Sequence, residues 1–225
     1  MNTPEAQFTV LLKQVYNILK PLGYKKEGNN FRLFAQEGLG KIICVNRNRW
    51  NSRDYLLFSL DIGVYFEKDS IIQNLRFKEI ECQLRKVIVR QDSGTLQLIS
   101  GNGDWREDLE MRYWLITEDT DMEALLTSVR LGLGACFDWF NHFSERKAVI
   151  EKMLSGEADR YSDYNVMHYR NAKLLADMGY ARQVYKRIKD TDPDYTYVVR
   201  LAQEIKKSLE EIQFFGEDLL IPRKE

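Results

Sequence analysis

Phe58-Ser59-Leu60-Asp61-Ile62-Gly63-Val64-Tyr65 alternates apolar side chains with polar or small ones along its whole length. Period two marks an extended strand with one face on a core and one face polar, an arrangement that antiparallel sheets allow. Read outward, this strand covers residues 55–66. Similar runs at 31–34, 41–45, 84–90 and 111–117 bring the expected sheet to about five strands, separated by Gly, Asn and Ser turns. Gly101-Asn102-Gly103-Asp104 between the last two reads as a loop. Helical spacing brackets the strands. Ahead of them Phe8, Leu11, Leu12, Val15, Leu19 and Leu22 follow Thr3 as N-cap and Pro4 at the first helical position, and Pro21 and Gly23 close the helix. Behind them Thr120 and Glu123 have the spacing of a capping box, with Leu125, Val129 and Leu133 in i+4 steps. Residues 165–178 and 180–189 predict two more helices joined at Gly179, and Asp192-Pro193 starts a last one with Tyr195, Val198, Ala202, Ile205, Leu209 and Ile212 on its apolar stripe. The expected fold is therefore α+β. An N-terminal helix and a later long helix pack on a mostly antiparallel sheet of about five strands, and an all-helical C-terminal segment follows. The expected division is an α+β domain over 1–143 and a helical segment over 144–225 packed on it.

A chain of 225 residues can bury a core without metal or disulfide support. Its three cysteines, Cys44, Cys82 and Cys136, are widely spaced and odd in number, so reduced, buried thiols are expected in place of a disulfide framework or zinc ribbon. There is no basic-then-apolar leader and no uncharged apolar run of membrane length, which makes the cytoplasm the expected compartment and excludes a membrane partner. No metal ligand set is recognisable: His142 and His168 are isolated, and the acidic runs 104–110 and 118–123 lack the spacing of a calcium loop. Asp138 and His142, four apart, could share a helical face, but Cys136 and His142 would lie about 240° apart around a helix. Gly132-Leu133-Gly134 follows helical periodicity and lacks the rest of a phosphate loop. No catalytic residue and no cofactor is assigned.

Charge is distributed unevenly. Residues 13–53 hold nine Lys and Arg against Glu27 and Glu37, a balance of +7 in a chain whose net charge is −1. Within this span Asn46-Arg47-Asn48-Arg49-Trp50-Asn51-Ser52-Arg53 mixes arginine with an aromatic. If the strand continues to Arg49, then Arg47 and Arg49 share a face with Ile43 and Val45, and Trp50 lies opposite. Arginine with aromatics is the composition of nucleic-acid grooves and of protein-interface hot spots alike.

The stretch Leu19-Lys20-Pro21-Leu22-Gly23-Tyr24-Lys25-Lys26-Glu27-Gly28-Asn29-Asn30-Phe31-Arg32, the strand ending Gly63-Val64-Tyr65, Cys82-Gln83-Leu84-Arg85 and Asp104-Trp105 together resemble a bacterial cytosolic family of domains of unknown function. Its members show an amphipathic helix, a Gly-Phe/Tyr-Lys-Lys-x-Gly turn, a strand ending Gly-Ile/Val-Tyr, a Cys-x-x-Arg step and an Asp-x-Trp-Trp-like step. Here Arg106 stands where a second tryptophan is common. The resemblance spans about residues 8–143 and implies a fold but no activity. Tyr24 and Phe31 are expected to bury their rings where helix meets sheet. The candidate partner-binding residues are Lys25, Lys26, Arg32, Arg47, Arg49, Trp50 and Arg85, with pairing to Asp61 as a structural alternative for Arg32 and Arg85. The expected function is a non-catalytic protein-binding module, immunity-type or accessory, whose partner is another protein. Nucleic-acid binding through 13–53 is one alternative, and an enzyme with a pocket near Arg85, Asp61 and Cys82 is another.

Overall fold

A computed structural model of the chain describes residues 3–34, 38–49, 51–66, 82–88 and 113–191, together with Gln203. Trp50, the Gly101 loop, Asp104-Trp105 and the helix expected after Asp192 lie outside these residues, as do the outer ends of the strands expected at 84–90 and 111–117. Two compact units divide the chain, Met1–Arg146 and Lys147–Glu225.

The first unit opens with α1 (Pro4–Leu19), where the Thr3 hydroxyl accepts from the Ala6 N–H at 3.3 Å. Its buried stripe is Phe8, Leu11, Leu12, Val15 and Leu19. Leu22 does not belong to that stripe. It sits in the tighter turn Lys20–Leu22 beyond the helix and is 52% exposed. Next comes β1 (Lys25–Glu27), a strand where the sequence shows only a Gly-bounded turn. All three of its residues are exposed, so no apolar alternation marks it, and backbone pairing alone makes it a strand. Gly28, at φ 59°, and Asn29 form the two-residue connection to β2 (Asn30–Phe34), a left-handed position that glycine takes at little cost.

The remaining strands are β3 (Leu39–Arg47), β4 (Tyr55–Phe66), β5 (Leu84–Ile88) and β6 (Trp114–Thr117). Every pairing is antiparallel, in the order β1-β2-β3-β4-β5. The long β4 pairs along one edge with β3; along the other it pairs with β5 over Leu60–Val64 and with β6 over Tyr55–Phe58. The described sheet therefore has six strands, and it is α+β in class as expected.

One face of the sheet carries Phe31, Ile43, Val45, Phe58, Leu60, Ile62, Val64 and Trp114, all buried. Against it lie α1 and α2 (Met122–Asn141). Phe8 meets Phe58 edge-on at 5.8 Å, Phe58 stacks on Trp114 at 5.5 Å, and Tyr16 stacks on Phe31 at 6.2 Å. The Trp114 indole N–H donates to the Ser128 hydroxyl at 2.9 Å, satisfying a polar atom that burial would otherwise strand. The cap of α2 differs from the expected one. Asp121 accepts from the N–H groups of Glu123 and Ala124, whereas the Thr120 hydroxyl turns back to accept from the Thr117 N–H at 2.7 Å. A carboxylate can accept both bonds at once, which frees Thr120 to close the turn after β6.

Both helices run the same way. The amide of Gln7, in the first turn of α1, donates to the carbonyl of Glu118 just ahead of α2, and Lys41 at the start of β3 donates to Phe140 at the end of α2. Their N-termini thus share one end of the unit and their C-termini the other.

The second unit contains α3 (Arg146–Ser155), which enters it from the boundary, then α4 (Tyr169–Leu175) and α5 (Ala181–Thr191). A wide turn, Ala176–Tyr180, joins the last two, with Gly179 at φ 95° as the sequence indicated. The α4 helix starts later than expected, at Tyr169, because His168 is its N-cap and accepts from the Arg170 N–H.

Candidate functional site

Register decides which of the candidate residues share a surface. Arg32 pairs with Ile42, Ile42 with Gly63, and Gly63 with Arg85, so the two arginines fall in one row on the face turned away from α1 and α2. The neighbouring row is Asn30, Cys44, Asp61 and Val87. The polar half of the Phe58–Tyr65 alternation lies on this face, yet it is not solvated: Arg32, Ser59, Asp61 and Tyr65 are all buried. Burial is made tolerable by pairing. The Asp61 carboxylate accepts from Asn46 Nδ2 and from the Ser59 hydroxyl, each at 2.7 Å, and Arg32 lies 3.3 Å from Glu27. Cys82, buried beside Ile42 and Tyr65, belongs to the same face.

Arg47 points to the opposite, helix-bearing face and is held there. Its two terminal nitrogens meet both oxygens of Glu5 at 3.0 and 2.7 Å, and its guanidinium lies 5.4 Å from the Phe8 ring centre. The condition for Arg47 and Arg49 to share a face is not met, since β3 stops at Arg47 and Arg49 sits in the following turn. The +7 span is also partly answered from outside itself, because Glu5 precedes it. Lys41 is another interior commitment: it donates to the Phe140 carbonyl at 3.4 Å, and burial lowers its pKa. Thus the structure brings Arg32 and Arg85 onto one face and separates both from Arg47.

Lys25 and Lys26 lie on the exposed β1 edge, with Lys20 in the turn before it. None of these three lysines forms an ion pair among the described residues. The Lys25 ammonium lies 5.7 Å from the centre of the Phe34 ring, which is 42% exposed. Leu22 and Phe34 are two of the five large apolar side chains left exposed among the described residues. Neither stood out in the sequence, where Leu22 fitted the helical stripe and Phe34 an ordinary strand. Pro21 was the available signal, since a helix ends at or before such a residue and its stripe with it.

The other candidates carry less chemistry. A cavity of about 230 Å³ opens beside the start of α2, next to Trp114, Thr120, Asp121 and Ser128. The Ser128 hydroxyl already accepts from Trp114, and the Thr120 and Asp121 oxygens cap backbone N–H groups. Cys136, on α2, is buried, and burial raises its thiol pKa, so it is held protonated and unsuited to nucleophilic work. The Tyr24 hydroxyl is raised likewise, by burial first and by Cys136 second. Asp138 and His142 stand at the very end of α2, where His142 is the C-cap. No group of three or more His, Cys, Asp or Glu able to hold a metal occurs among the described residues, and no described helix is long and apolar enough to cross a membrane.

A six-stranded antiparallel sheet with two co-directional helices on one face, and a hydrogen-bonded polar network buried on the other, defines an α+β domain, and no catalytic set is recognisable among the described residues. The chain belongs to the family described as Domain of unknown function DUF4304, whose profile matches residues 15–142. That span runs from Val15, in the last third of α1, to His142, the C-cap of α2, and includes Lys25, Arg32, Arg47, Asp61 and Arg85; Glu5 and the second unit fall outside it. No curated protein matches the chain. No solved structure matches it either.

Proposed function

We propose that this DUF4304 chain is a non-catalytic module that binds another protein at the corner where α1 meets the β1–β2 hairpin. One observation carries the reading: Leu22 and Phe34 are exposed at the same corner as Lys20, Lys25 and Lys26, three cations without an anionic partner among the described residues. The lysines alone have structural explanations. Cations near a helix C-terminus contribute about 0.3–1 kcal/mol, and lysines on a short edge strand keep sheets from pairing with one another. Neither explanation calls for an exposed leucine in the turn before β1 or an exposed phenylalanine at the end of β2. Apolar side chains rimmed by charge are what protein-binding surfaces present. A role of immunity or accessory type, in which the module neutralises or escorts its partner, fits an exposed apolar and basic corner of this kind.

The nucleic-acid alternative loses its strongest groups, because the guanidiniums of Arg32 and Arg47 are engaged by Glu27 and Glu5. The test is a photo-crosslinking amino acid placed at Phe34, with Thr127 on α2 as the control position, in the cells that make the protein. A reproducible protein adduct specific to position 34 is expected. Equal adducts at both positions, or none, would refute the reading.

A further inference from the structure

Resting on that protein-binding reading, we infer that the partner presents an acidic segment with an apolar side chain in its middle, which seats against Leu22 and Phe34 while its carboxylates reach Lys20, Lys25 and, on the other side of the same exposed edge strand, Lys26. The three lysines are exposed and lack ion pairs among the described residues, and the carboxylate nearest in sequence, Glu27, is already turned to Arg32. Lys13 extends the patch along α1, since it stands seven residues, about two turns, before Lys20 and is also exposed. Potential of one sign over a corner selects partners of the other sign and speeds their approach.

The apolar half of the inference comes from register. Lys25, the first residue of β1, lies opposite Arg32, and a Cβ at Gly23 would lie 3.3 Å from the Leu33 side chain, so the turn ahead of β1 runs alongside the end of β2. Leu22 and Phe34 therefore flank the open end of the hairpin, with the Lys25 ammonium over the ring.

The same details disfavour other anions. Bases bind by stacking on an open aromatic face, whereas the Phe34 face already carries an ammonium and Leu22 has no face to offer. Two exposed apolar side chains are too few to hold a protein in a lipid surface, which takes a whole amphipathic face.

The experiment uses the full chain, labelled with nitrogen-15, titrated with a short peptide of glutamates around one central phenylalanine. Shifts confined to residues 20–27 and 34 are expected, weakened by added salt. In the K25E/K26E double variant, whose remaining spectrum reports that it is folded, affinity should drop about tenfold or more, as expected when two attractive contacts turn repulsive. Equal binding of a peptide with serine in place of the phenylalanine overturns the apolar half. Tighter binding of a single-stranded oligonucleotide of equal charge at the same residues overturns the choice of partner. Absence of any shift at this corner overturns the inference as a whole, and a protein adduct at position 34 in the crosslinking experiment would then leave the broader protein-binding reading standing.

Discussion

Replacing Asp61 by alanine removes the acceptor that holds two side chains on the buried polar face, Asn46 and Ser59, each 2.7 Å away. A hydrogen bond to a charged group contributes roughly 1.5–3 kcal/mol, and a buried donor left without its acceptor costs about 1–3 kcal/mol. Asn46 is half-buried and can turn to water, so its share belongs at the low end; Ser59 is 3% exposed and cannot. Relief of the buried carboxylate's own desolvation offsets part of the loss. The expected net destabilisation is about 2–4 kcal/mol. Asp61→Asn should cost about half as much, because the introduced amide can accept from Asn46 through its oxygen and donate to the Ser59 hydroxyl through its nitrogen. Urea unfolding followed by tryptophan fluorescence isolates the relevant unit, since Trp50, Trp105, Trp114 and Trp139 all precede Lys147. A cycle with Ser59→Ala completes the measurement. Loss of less than about 1 kcal/mol for Asp61→Ala, or strict additivity with Ser59→Ala, would refute the view that this carboxylate anchors the polar face.

Alkaline pH should destabilise the fold through Cys136 and Tyr24, whose ordinary values are 9.0 and 10.0 and which burial keeps protonated. Above those values the unfolded chain releases protons that the folded chain retains. The associated stability is complete below pH 9, declines by about 1.4 kcal/mol per pH unit above it, and by about twice that above pH 10. Lys41 acts in the opposite sense: its pKa is lowered from 10.5, so between its folded value and 10.5 the unfolded state binds more protons and stability rises with pH. Urea midpoints measured from pH 8 to 11 would show the net decline, and Cys136→Ala should flatten its first limb whatever it does to overall stability; a flat wild-type profile would contradict the assignment. The two glycines of α2 should respond oppositely to alanine. A Cβ at Gly132 would lie 2.7 Å from the Trp114 ring and 3.2 Å from Leu60, so overpacking of about 1–3 kcal/mol outweighs a helix-propensity gain of about 1 kcal/mol, whereas a Cβ at Gly134 meets nothing within 4 Å and should leave only the gain. Thermal midpoints of the two variants moving in the same direction would contradict this packing.

Much of the architecture was legible because it rests on local periodicity. The alternation from Phe58 to Tyr65 is β4, the apolar spacing from Phe8 to Leu19 is α1, and the steps Leu125, Val129 and Leu133 are the buried side of α2. Features that depend on distant partners were not legible. The β1 strand has no apolar pattern and exists through its pairing with β2. The bond from Arg47 to Glu5 crosses 42 positions, so a count of charges between residues 13 and 53 could not register it. Periodicity revealed that one face of β4 was polar, but polarity does not say whether a face meets water. That depends on what packs over it, and here the polar residues proved buried. The candidate site was legible only in part for the same reason. Arg32 and Arg85 were named as a pair, yet their common row follows from β2–β5 registers that no local pattern encodes. Leu22 and Phe34 were missed because apolar residues in regular elements are expected to be inside.

The shared direction of α1 and α2 gives the first unit an electrical polarity. At the N-terminal end lie Glu118, Asp119, Asp121 and Glu123, none in an ion pair among the described residues; near the C-terminal end lie Lys20, Lys25, Lys26 and Lys41. Each group sits where it offsets the partial charges of the helix ends, so the arrangement lets two aligned macrodipoles lie side by side. It also acts beyond the surface. An anion nearing within a Debye length, about 8 Å at physiological ionic strength, would be attracted and would exert a torque on this unit that turns its lysine end forward before contact is made.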